Sequence, residues 1–257
     1  MLAEHFADPP AYIRSLHYLL DFYADRSRHP GQVAAPPPMI SAYKVRPQIL
    51  RMILQELTPL AIANTEAGFA LCDAFWDEPY LEFRLLAAML LGQIPPIPPD
   101  PVIERLNRWL SSDLEFTLIE AVIEQSFYRM RKENPNEILQ MIQNWLDKND
   151  RFHKQLGLRA LLPLINQPEF QNLPIFFRLI QPFVCRVPSG IRPDLLDVLA
   201  ALAGRSPGET AFFLQRTLVL PESEDTPWLI RQSLAIFPPE TQRTLGDAAK
   251  IAAASRK

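Results

Sequence analysis

Basic side chains cluster at three places in the second half of the chain, where their type and spacing could do chemistry. The clusters hold, in order, Arg129, Arg131 and Lys132; then Lys148, Arg151, Lys154 and Arg159; then Arg186 and Arg192. Cationic side chains that meet the phosphates of DNA at several points release counterions, so such binding depends strongly on salt. The same residues could instead be ordinary surface charges beside acidic neighbours such as Asp147 and Asp150.

The signatures of other chemistry are missing from the sequence. It contains no GxxxxGK[ST] or GxGxxG phosphate loop, no GxSxG nucleophile turn and no HExxH metal motif. The four histidines show no metal-ligand spacing, and the two cysteines, Cys72 and Cys185, form no CxxC pair. We therefore expect no metal site, no small-molecule cofactor and no disulfide framework.

The net charge of the chain limits how the protein could bind nucleic acid. The 257 residues carry a net charge of −3, whereas a protein devoted to coating DNA is usually strongly basic. Any DNA contact must therefore come from a local patch. No apolar run approaches the roughly 20 residues of a membrane span, and the N-terminus lacks the apolar stretch of a signal peptide. We expect no membrane partner and a cytoplasmic protein.

Apolar residues recur with the period of α-helices. Two stripes follow the spacing i, i+3, i+4, i+7: Leu158, Leu161, Leu162 and Ile165, and then Leu195, Val198, Leu199 and Leu202. Most of the 26 prolines stand between apolar stretches, where a helix tolerates proline in its first turn. Asn134 and Ser206 each precede a Pro and a third-position Glu, which predicts capping boxes. No alternating strand pattern is evident.

A helical unit repeats along the chain. At Trp76, Trp109 and Trp145 a helix ends in an aromatic residue, a short polar turn follows, and a second apolar helix begins. The copies recur every ~35 residues, as in helical-repeat families. Phe152, Leu156 and Ala160 add a second apolar face to the helix that carries Leu158, so this helix needs neighbours on more than one side, as stacked helix pairs supply. We interpret the tryptophans mainly as packing residues.

This pattern predicts an all-α fold, a right-handed superhelical solenoid of HEAT-like antiparallel helix pairs. We divide the chain into an N-terminal helix with a proline-rich linker (1–41), a repeat domain (42–245) and a C-terminal tail (246–257). Within the first part, Asp25 to Ile40 reads as an exposed linker because it contains three consecutive prolines.

Four segments together resemble the DNA alkylation-repair family of HEAT-like glycosylases. They are Ala42 to Arg51, Leu71 to Gly92, Asn144 to Ile165 and Trp228 to Leu234. The first is similar to the family's opening motif, roughly Gly-Val-x-x-Pro-x-Leu-Arg. In the second, a helix ending in Trp precedes a helix that bears Arg84. The resemblance covers most of residues 40–245, and the order and spacing of the segments carry it.

The resemblance implies a substrate and a catalytic carboxylate. The family acts on DNA with alkylated, cationic purines, and an Asp in a Trp-Asp-x-x-Asp pattern stabilises the cationic sugar of the transition state. Here Phe116 replaces the Trp, Thr117 replaces the first Asp, and Glu120 falls on the catalytic Asp. Glutamate adds a methylene, and a misplacement of about 1 Å can cost about a hundredfold in rate. Glu120 could also be a solvated helix carboxylate.

Two further positions of the resembled family are altered. By our alignment, a DNA-contacting Arg falls on Gln155 and a Trp falls on Asp197. An amide cannot clamp a phosphate as a guanidinium does, and a carboxylate there would repel the DNA backbone. The pattern is thus lost at Phe116, Gln155 and Asp197, and kept only in charge at Glu120.

Three functions remain open, and we favour the first. The protein could be a binding module that holds a DNA backbone or a protein partner on its concave face without robust catalysis. The residues predicted to bind double-stranded DNA are then Arg129, Lys148, Arg151, Lys154 and Arg186. Alternatively, it could be an active alkylpurine DNA glycosylase that uses Glu120. The third alternative is a protein–protein scaffold with no nucleic-acid role.

Overall fold

The computed structural model describes residues 3–24 and 40–254. In this part of the chain the α-helices are α1 Pro9–Tyr23, α2 Pro47–Ala63, α3 Thr65–Asp77, α4 Leu81–Leu91, α5 Asp100–Trp109, α6 Phe116–Ser126, α7 Met130–Glu133, α8 Pro135–Leu146, α9 Arg151–Ile165, α10 Leu173–Cys185, α11 Arg192–Arg205, α12 Pro207–Leu218, α13 Thr226–Ser233 and α14 Pro239–Ala254. Extended pairing among these residues is limited to one isolated bridge, between Ser41 and Tyr80. The predicted all-α class is confirmed. The predicted linker lies outside the described residues except for Ile40.

The chain divides into two compact units, unit 1 (Met1–Ile138) and unit 2 (Leu139–Lys257). This boundary falls inside the predicted repeat domain, and α14 continues through the predicted boundary at residue 245.

Unit 1 is built around α3 and α4. Helix α3 packs against α1, α2 and α4, and α4 packs in turn against α2 and α6. Their facing side chains, among them Leu71, Phe75, Phe83, Leu86 and Leu90, are fully buried. Because each such side chain contributes about 1.5–3 kcal/mol when it is removed from water, this apolar seam supplies much of the stability of the unit.

Unit 2 has two layers of helices. In one layer α11 lies between α9 and α13, and in the other α12 lies between α10 and α14. The two stripes predicted on α9 and α11 face this interior: Leu158, Leu161, Ile165, Leu195, Val198, Leu199 and Leu202 are buried. Arg205, the last residue of α11, donates to the carbonyl oxygens of Ile165, Gln167 and Phe170 at 2.5, 2.7 and 2.9 Å. Its cation therefore closes the C-terminal end of α9, where unpaired carbonyls accumulate.

The ends of the helices lie where the sequence predicts them, but a predicted side-chain cap does not form. Trp109 ends α5, while Trp76 and Trp145 are the penultimate residues of α3 and α8, so the three positions are equivalent. Helix α12 begins at Pro207 as predicted, but the Ser206 side chain makes no capping hydrogen bond. The backbone carbonyl oxygen of Ser206 accepts a hydrogen bond from Thr210 Oγ1 at 2.9 Å. The predicted capping box at Ser206 is therefore wrong.

A left-handed backbone residue stands at the start of the repeat region. Lys44 has φ 57°, and it occupies the position at which the resembled opening motif carries glycine. The Glu82 carboxylate holds this turn, since it accepts from the backbone N–H groups of Tyr43 and Lys44 at 3.0 and 2.7 Å. A side chain in this region costs about 1–2 kcal/mol, whereas glycine adopts it freely.

We therefore expect Lys44→Gly to raise the free energy of unfolding by about 0.5–1 kcal/mol, because the relieved strain exceeds the added entropy of the unfolded chain. Lys44→Ala is the matched control, since it removes the exposed charge but keeps the Cβ atom. Urea unfolding followed by circular dichroism measures both. Equal effects of the two substitutions would contradict the strain argument.

Candidate nucleic-acid interface

The N-terminal ends of α9, α11 and α13 lie beside one another along one edge of unit 2. Arg151, the first residue of α9, donates from Nε to the carbonyl oxygen of Gly190 at 3.1 Å, just ahead of α11. The approach is close enough that a Cβ atom at residue 190 would lie 2.6 Å from Arg151 Cδ. Arg192, the first residue of α11, places its guanidinium 4.5 Å from the Trp228 ring of α13.

Five cationic residues stand along this edge, which we call the basic edge: Lys148, Arg151, Lys154, Arg186 and Arg192. Four of them were predicted as DNA contacts, and Arg192 was noted in the same cluster as Arg186. All but the half-buried Lys154 are exposed. The N-terminus of each helix adds a partial positive charge, although at α9 the Asp150 carboxylate already accepts from the backbone N–H of His153 at 2.9 Å. The edge therefore gathers five cations, with the acidic residues Asp150, Glu224 and Asp225 beside them.

Acidic groups accompany these cations. Arg186 Nη2 lies 2.9 Å from Glu224 Oε1, with both side chains about two-thirds exposed. Lys148 Nζ lies 2.9 Å from His153 Nε2, and the other ring nitrogen of His153 lies 2.8 Å from the Asp150 carboxylate. The backbone N–H and ring of His153 hold the pKa of Asp150 below its usual range. Exposed pairs of this kind are weak, so a phosphate can compete for the cations.

Gln155, which aligns with a DNA-contacting Arg, has a structural partner. Its Nε2 donates to Asp194 Oδ2 at 3.0 Å, and Arg159 Nη2 lies 2.7 Å from Asp194 Oδ1. The Asp194 carboxylate is completely buried between α9 and α11. The amide at residue 155 thus helps to fasten two helices. Our reading of the sequence missed Asp194, because an acid in the first turn of a helix resembles an ordinary N-terminal charge.

Asp197 lies on the same helix, three residues after the buried Asp194, and is exposed. Its negative charge stands in the layer that also carries the basic edge.

In unit 1, the residues aligned with the family's catalytic pattern face solvent. Phe116, Thr117 and Glu120 are exposed on α6, while Leu118, Ile119, Val122 and Ile123 bury the other side of that helix. Phe116 and Glu120 are one helical turn apart and share a face. The structure therefore places an aromatic ring and a carboxylate on one accessible surface of α6.

Arg129, the fifth predicted DNA contact, serves the packing of unit 1. Its Nε lies 2.5 Å from Glu133 Oε1, and its Nη1 donates to the carbonyl oxygen of Gln93 at 3.0 Å. The side chain is about one-third exposed. It joins the turn after α6 to the end of α4, so a phosphate would have to compete with two existing partners.

The tryptophans of the first two repeats pack on each other. The rings of Trp76 and Trp109 stack with centroids 4.6 Å apart and planes 8° from parallel. Arg84, the residue noted in the resemblance, lies 5.5 Å from the Trp76 ring. Trp109 is buried, and Trp76 is half-buried. The packing interpretation of this pair is confirmed.

Our reading of the sequence also missed a polar cluster in unit 1. His17 Nδ1 lies 2.6 Å from Tyr43 Oη, and His17 Nε2 lies 3.1 Å from Glu78 Oε2. Tyr43 stacks on Tyr80 at 4.6 Å, and burial together with Tyr80 raises the pKa of Tyr43 to about 12. Both ring nitrogens of His17 thus have partners, and the cluster ties α1 to the segment before α2 and to the turn between α3 and α4. No short-range pattern signals it, because His17 and Glu78 are 61 residues apart.

Neither a metal site nor a membrane-spanning helix is supported among residues 3–24 and 40–254. No group of three or more His, Cys, Asp or Glu side chains in these ranges is arranged to hold a metal ion. Within the same ranges, none of the helices combines the length and hydropathy needed to cross a bilayer.

Comparison with known proteins agrees with this picture. No curated protein matches the sequence significantly. Among solved structures, the chain is similar to the crystal structure of smu.31 from Streptococcus mutans UA159, with a TM-score of 0.54 and 16% sequence identity. That match covers 74% of this chain and 98% of the other. The model of one family, described as DNA alkylation repair enzyme, matches residues 42–231, well over half of the chain. The protein therefore belongs to the DNA alkylation repair enzyme family.

Proposed function

We propose that the protein binds the sugar–phosphate backbone of duplex DNA through the basic edge of unit 2, without robust glycosylase catalysis. The observation that carries the proposal is the contact of Arg151 with Gly190, which aligns the starts of α9 and α11 and their cations. Membership of a family described by DNA alkylation repair supports DNA as the ligand.

The physical argument for phosphate binding rests on charge and exposure. Helix N-termini present free N–H groups to an anion, and neighbouring Lys and Arg side chains add full charges. The basic edge combines both at α9, α11 and α13. Backbone contacts of this kind fix the position of a protein on DNA but do not read its sequence. We therefore propose binding with little sequence preference.

The argument against robust catalysis rests on the altered positions. Glu120 is exposed, and the interaction of two charges 4 Å apart falls from about 4 kcal/mol near a protein surface to about 1 kcal/mol in bulk water. An exposed carboxylate therefore stabilises a cationic transition state weakly. Gln155 offers no cation, because it carries an amide that is bonded to Asp194.

The proposal also includes the architecture that the sequence predicts. We propose that the helix pairs are HEAT-like repeats of a right-handed superhelical solenoid whose concave face meets DNA. The support is the layering inside unit 2, where second helices α9, α11 and α13 form one layer and first helices the other. The basic edge lies in the layer of second helices.

Binding is tested with a fluorescent duplex of about 20 base pairs, by anisotropy, between about 50 and 200 mM salt. We expect the affinity of the wild type to fall steeply with salt, because released counterions drive the association. Lys148→Glu with Arg151→Glu and Lys154→Glu should weaken binding by about tenfold or more and flatten the salt dependence by about one unit per lost phosphate contact.

Lys250→Glu is the matched control, since Lys250 is exposed on α14, outside the basic edge. The variant Lys148→Glu with Lys154→Glu keeps Arg151 and its contact with Gly190. A loss of DNA binding in this variant therefore cannot result from loss of that contact. Unchanged affinity and salt dependence in both basic-edge variants would overturn the proposal.

An active glycosylase is the second candidate, and one observation favours it. Phe116 and Glu120 occupy the same exposed face of α6, where a base and a sugar could be reached together. Incubation with DNA that contains N7-methylguanine, followed by measurement of free base, decides between the two. We expect no release above the level of Glu120→Gln. Release by the wild type alone would replace the binding proposal with the catalytic one.

A further inference from the structure

An apolar groove runs along the layer of unit 2 that does not carry the basic edge. One recess, with a volume of 490 Å³, lies between α10 and α12, and its lining includes the rings of Phe177 and Phe213, stacked 4.9 Å apart. A second recess, of 540 Å³, lies between α12 and α14. The two recesses flank α12 and meet at Val219 and Leu220, just after the end of that helix; together we call them the groove.

Large apolar side chains line this groove in contact with water. Phe212 is 61% exposed, Val219 is 81% exposed and Ile251 is 68% exposed. They come from α12, from the end of that helix and from α14, so the exposed surface crosses several elements. Single exposed hydrophobic residues are ordinary, but a contiguous patch with a concave shape is typical of an interaction site.

The groove is separate from the surface proposed to bind DNA. It lies on α10, α12 and α14, whereas four of the five cations of the basic edge lie at or just before the starts of α9 and α11; Arg186, which follows α10, shares a recess with Arg178 of the groove. Its α14 wall, with Ala248, Ile251 and Ala252, stands beyond the residues that match the family, which end at 231. Most side chains that line the groove are apolar, and a phosphate backbone has no partner among them.

The charges around the groove indicate the occupant's chemistry. Arg178 and Arg216 are exposed on the lining of the first recess, where Glu209 is the acidic residue beside them. The Arg216 guanidinium lies 5.8 Å from the Phe212 ring, so a cation borders the most prominent aromatic anchor. The recess is thus locally basic in an acidic chain. A partner that is apolar along one stripe and acidic beside it would complement both features.

We propose that this groove binds an acidic amphipathic helix of a partner protein. Large apolar residues of the helix, spaced i, i+3 or i+4, and i+7, occupy the recesses between α10, α12 and α14. Its flanking carboxylates pair with Arg178 and Arg216. The proposal can be tested apart from the DNA-binding proposal, because Phe212 and Arg216 on α12 lie outside the basic edge.

The probe is a fluorescent synthetic peptide of about 16 residues with Leu and Phe at that spacing and Glu elsewhere. A second peptide has the same composition with the apolar residues scattered, and a third carries Lys in place of every Glu. We expect the full-length protein to bind the first peptide best in fluorescence anisotropy. Phe212→Ala should weaken that binding by about tenfold or more, as for an aromatic anchor.

Charge is tested separately. Arg178→Glu with Arg216→Glu should weaken binding of the acidic peptide and strengthen binding of the Lys peptide. Phe22→Ala is the matched control, because Phe22 is 80% exposed in unit 1. It should bind like the wild type, as should the basic-edge variant Lys148→Glu with Lys154→Glu. Loss of DNA binding and loss of peptide binding are therefore distinguishable.

Four results would overturn the inference. They are equal binding of the acidic and scattered peptides, unchanged binding in Phe212→Ala, self-association of the protein that Phe212→Ala abolishes, and binding of neutral phosphatidylcholine vesicles that Phe212→Ala abolishes. The third result would assign the groove to a second copy of the chain, and the fourth would assign it to a membrane surface.

Discussion

Asp194→Ala is expected to lower the free energy of unfolding by about 3–5 kcal/mol, because it removes one partner of a buried ion pair. The Asp194 carboxylate is completely buried, and it lies 2.7 Å from Arg159 Nη2 and 3.0 Å from Gln155 Nε2. Without it, a guanidinium that is only 18% exposed would keep its charge beside an apolar layer. Some access of water to Arg159 places the effect toward the lower end of that range.

Asp197→Ala is the matched control for this prediction. It removes the same chemical group from the same helix at an exposed position, where we expect a change within about 0.5 kcal/mol. Urea unfolding followed by far-ultraviolet circular dichroism measures both variants. If the two substitutions cost the same, the buried network does not hold α9 on α11.

A second variant separates charge from packing. Arg159→Met combined with Asp194→Ala removes both charges, so we expect it to be less destabilised than Asp194→Ala alone. The network also bears on function, because it holds in place the α9 helix whose first turn carries Arg151 and Lys154. Loss of Asp194 should therefore weaken DNA binding under conditions that begin to unfold α9.

Gly92→Ala is expected to destabilise the protein by about 3 kcal/mol, because there is no space for a side chain where α4 meets α6. A Cβ atom at residue 92 would lie 2.0 Å from the carbonyl oxygen of Gln125 and 3.0 Å from its carbonyl carbon. Both are backbone atoms, so no side-chain rotation relieves the overlap. Since φ at Gly92 is −68°, the cost is steric and not conformational.

Gly204→Ala is the control, because no atom lies within 4 Å of a Cβ built there. In helix α11 we expect that change to stabilise the protein by about 0.5–1 kcal/mol, as alanine does in helices generally. Thermal unfolding of both variants gives the comparison. A Gly92→Ala protein as stable as the wild type would show that α4 and α6 do not approach so closely. Because α6 carries Glu120 and Phe116, the same contact sets the position of the family's catalytic pattern.

Local physics explains why so much of the fold was predictable. The stripes on α9 and α11 fall on one side of a helix with 3.6 residues per turn, whatever the rest of the chain does. The Trp positions near the ends of α3, α5 and α8 were predictable for another reason, since they recur at intervals of ~35 residues along the sequence. The capping box at Ser206 failed, because a hydroxyl has competing partners and its choice depends on small differences in local geometry.

The sequence by itself determined the helical class, the family and the positions of the basic residues, since each depends on residue type and spacing along the chain. Only the tertiary structure decided that Gln155 is bonded to a buried Asp194, that Arg151 joins the starts of two helices and that α10, α12 and α14 leave a groove open. These pairs lie 39 residues apart or more, or on different helices, and many partners of the same type were available to each residue. Packing selects one partner by distance and burial, and neither quantity can be read from the order of the residues along the chain.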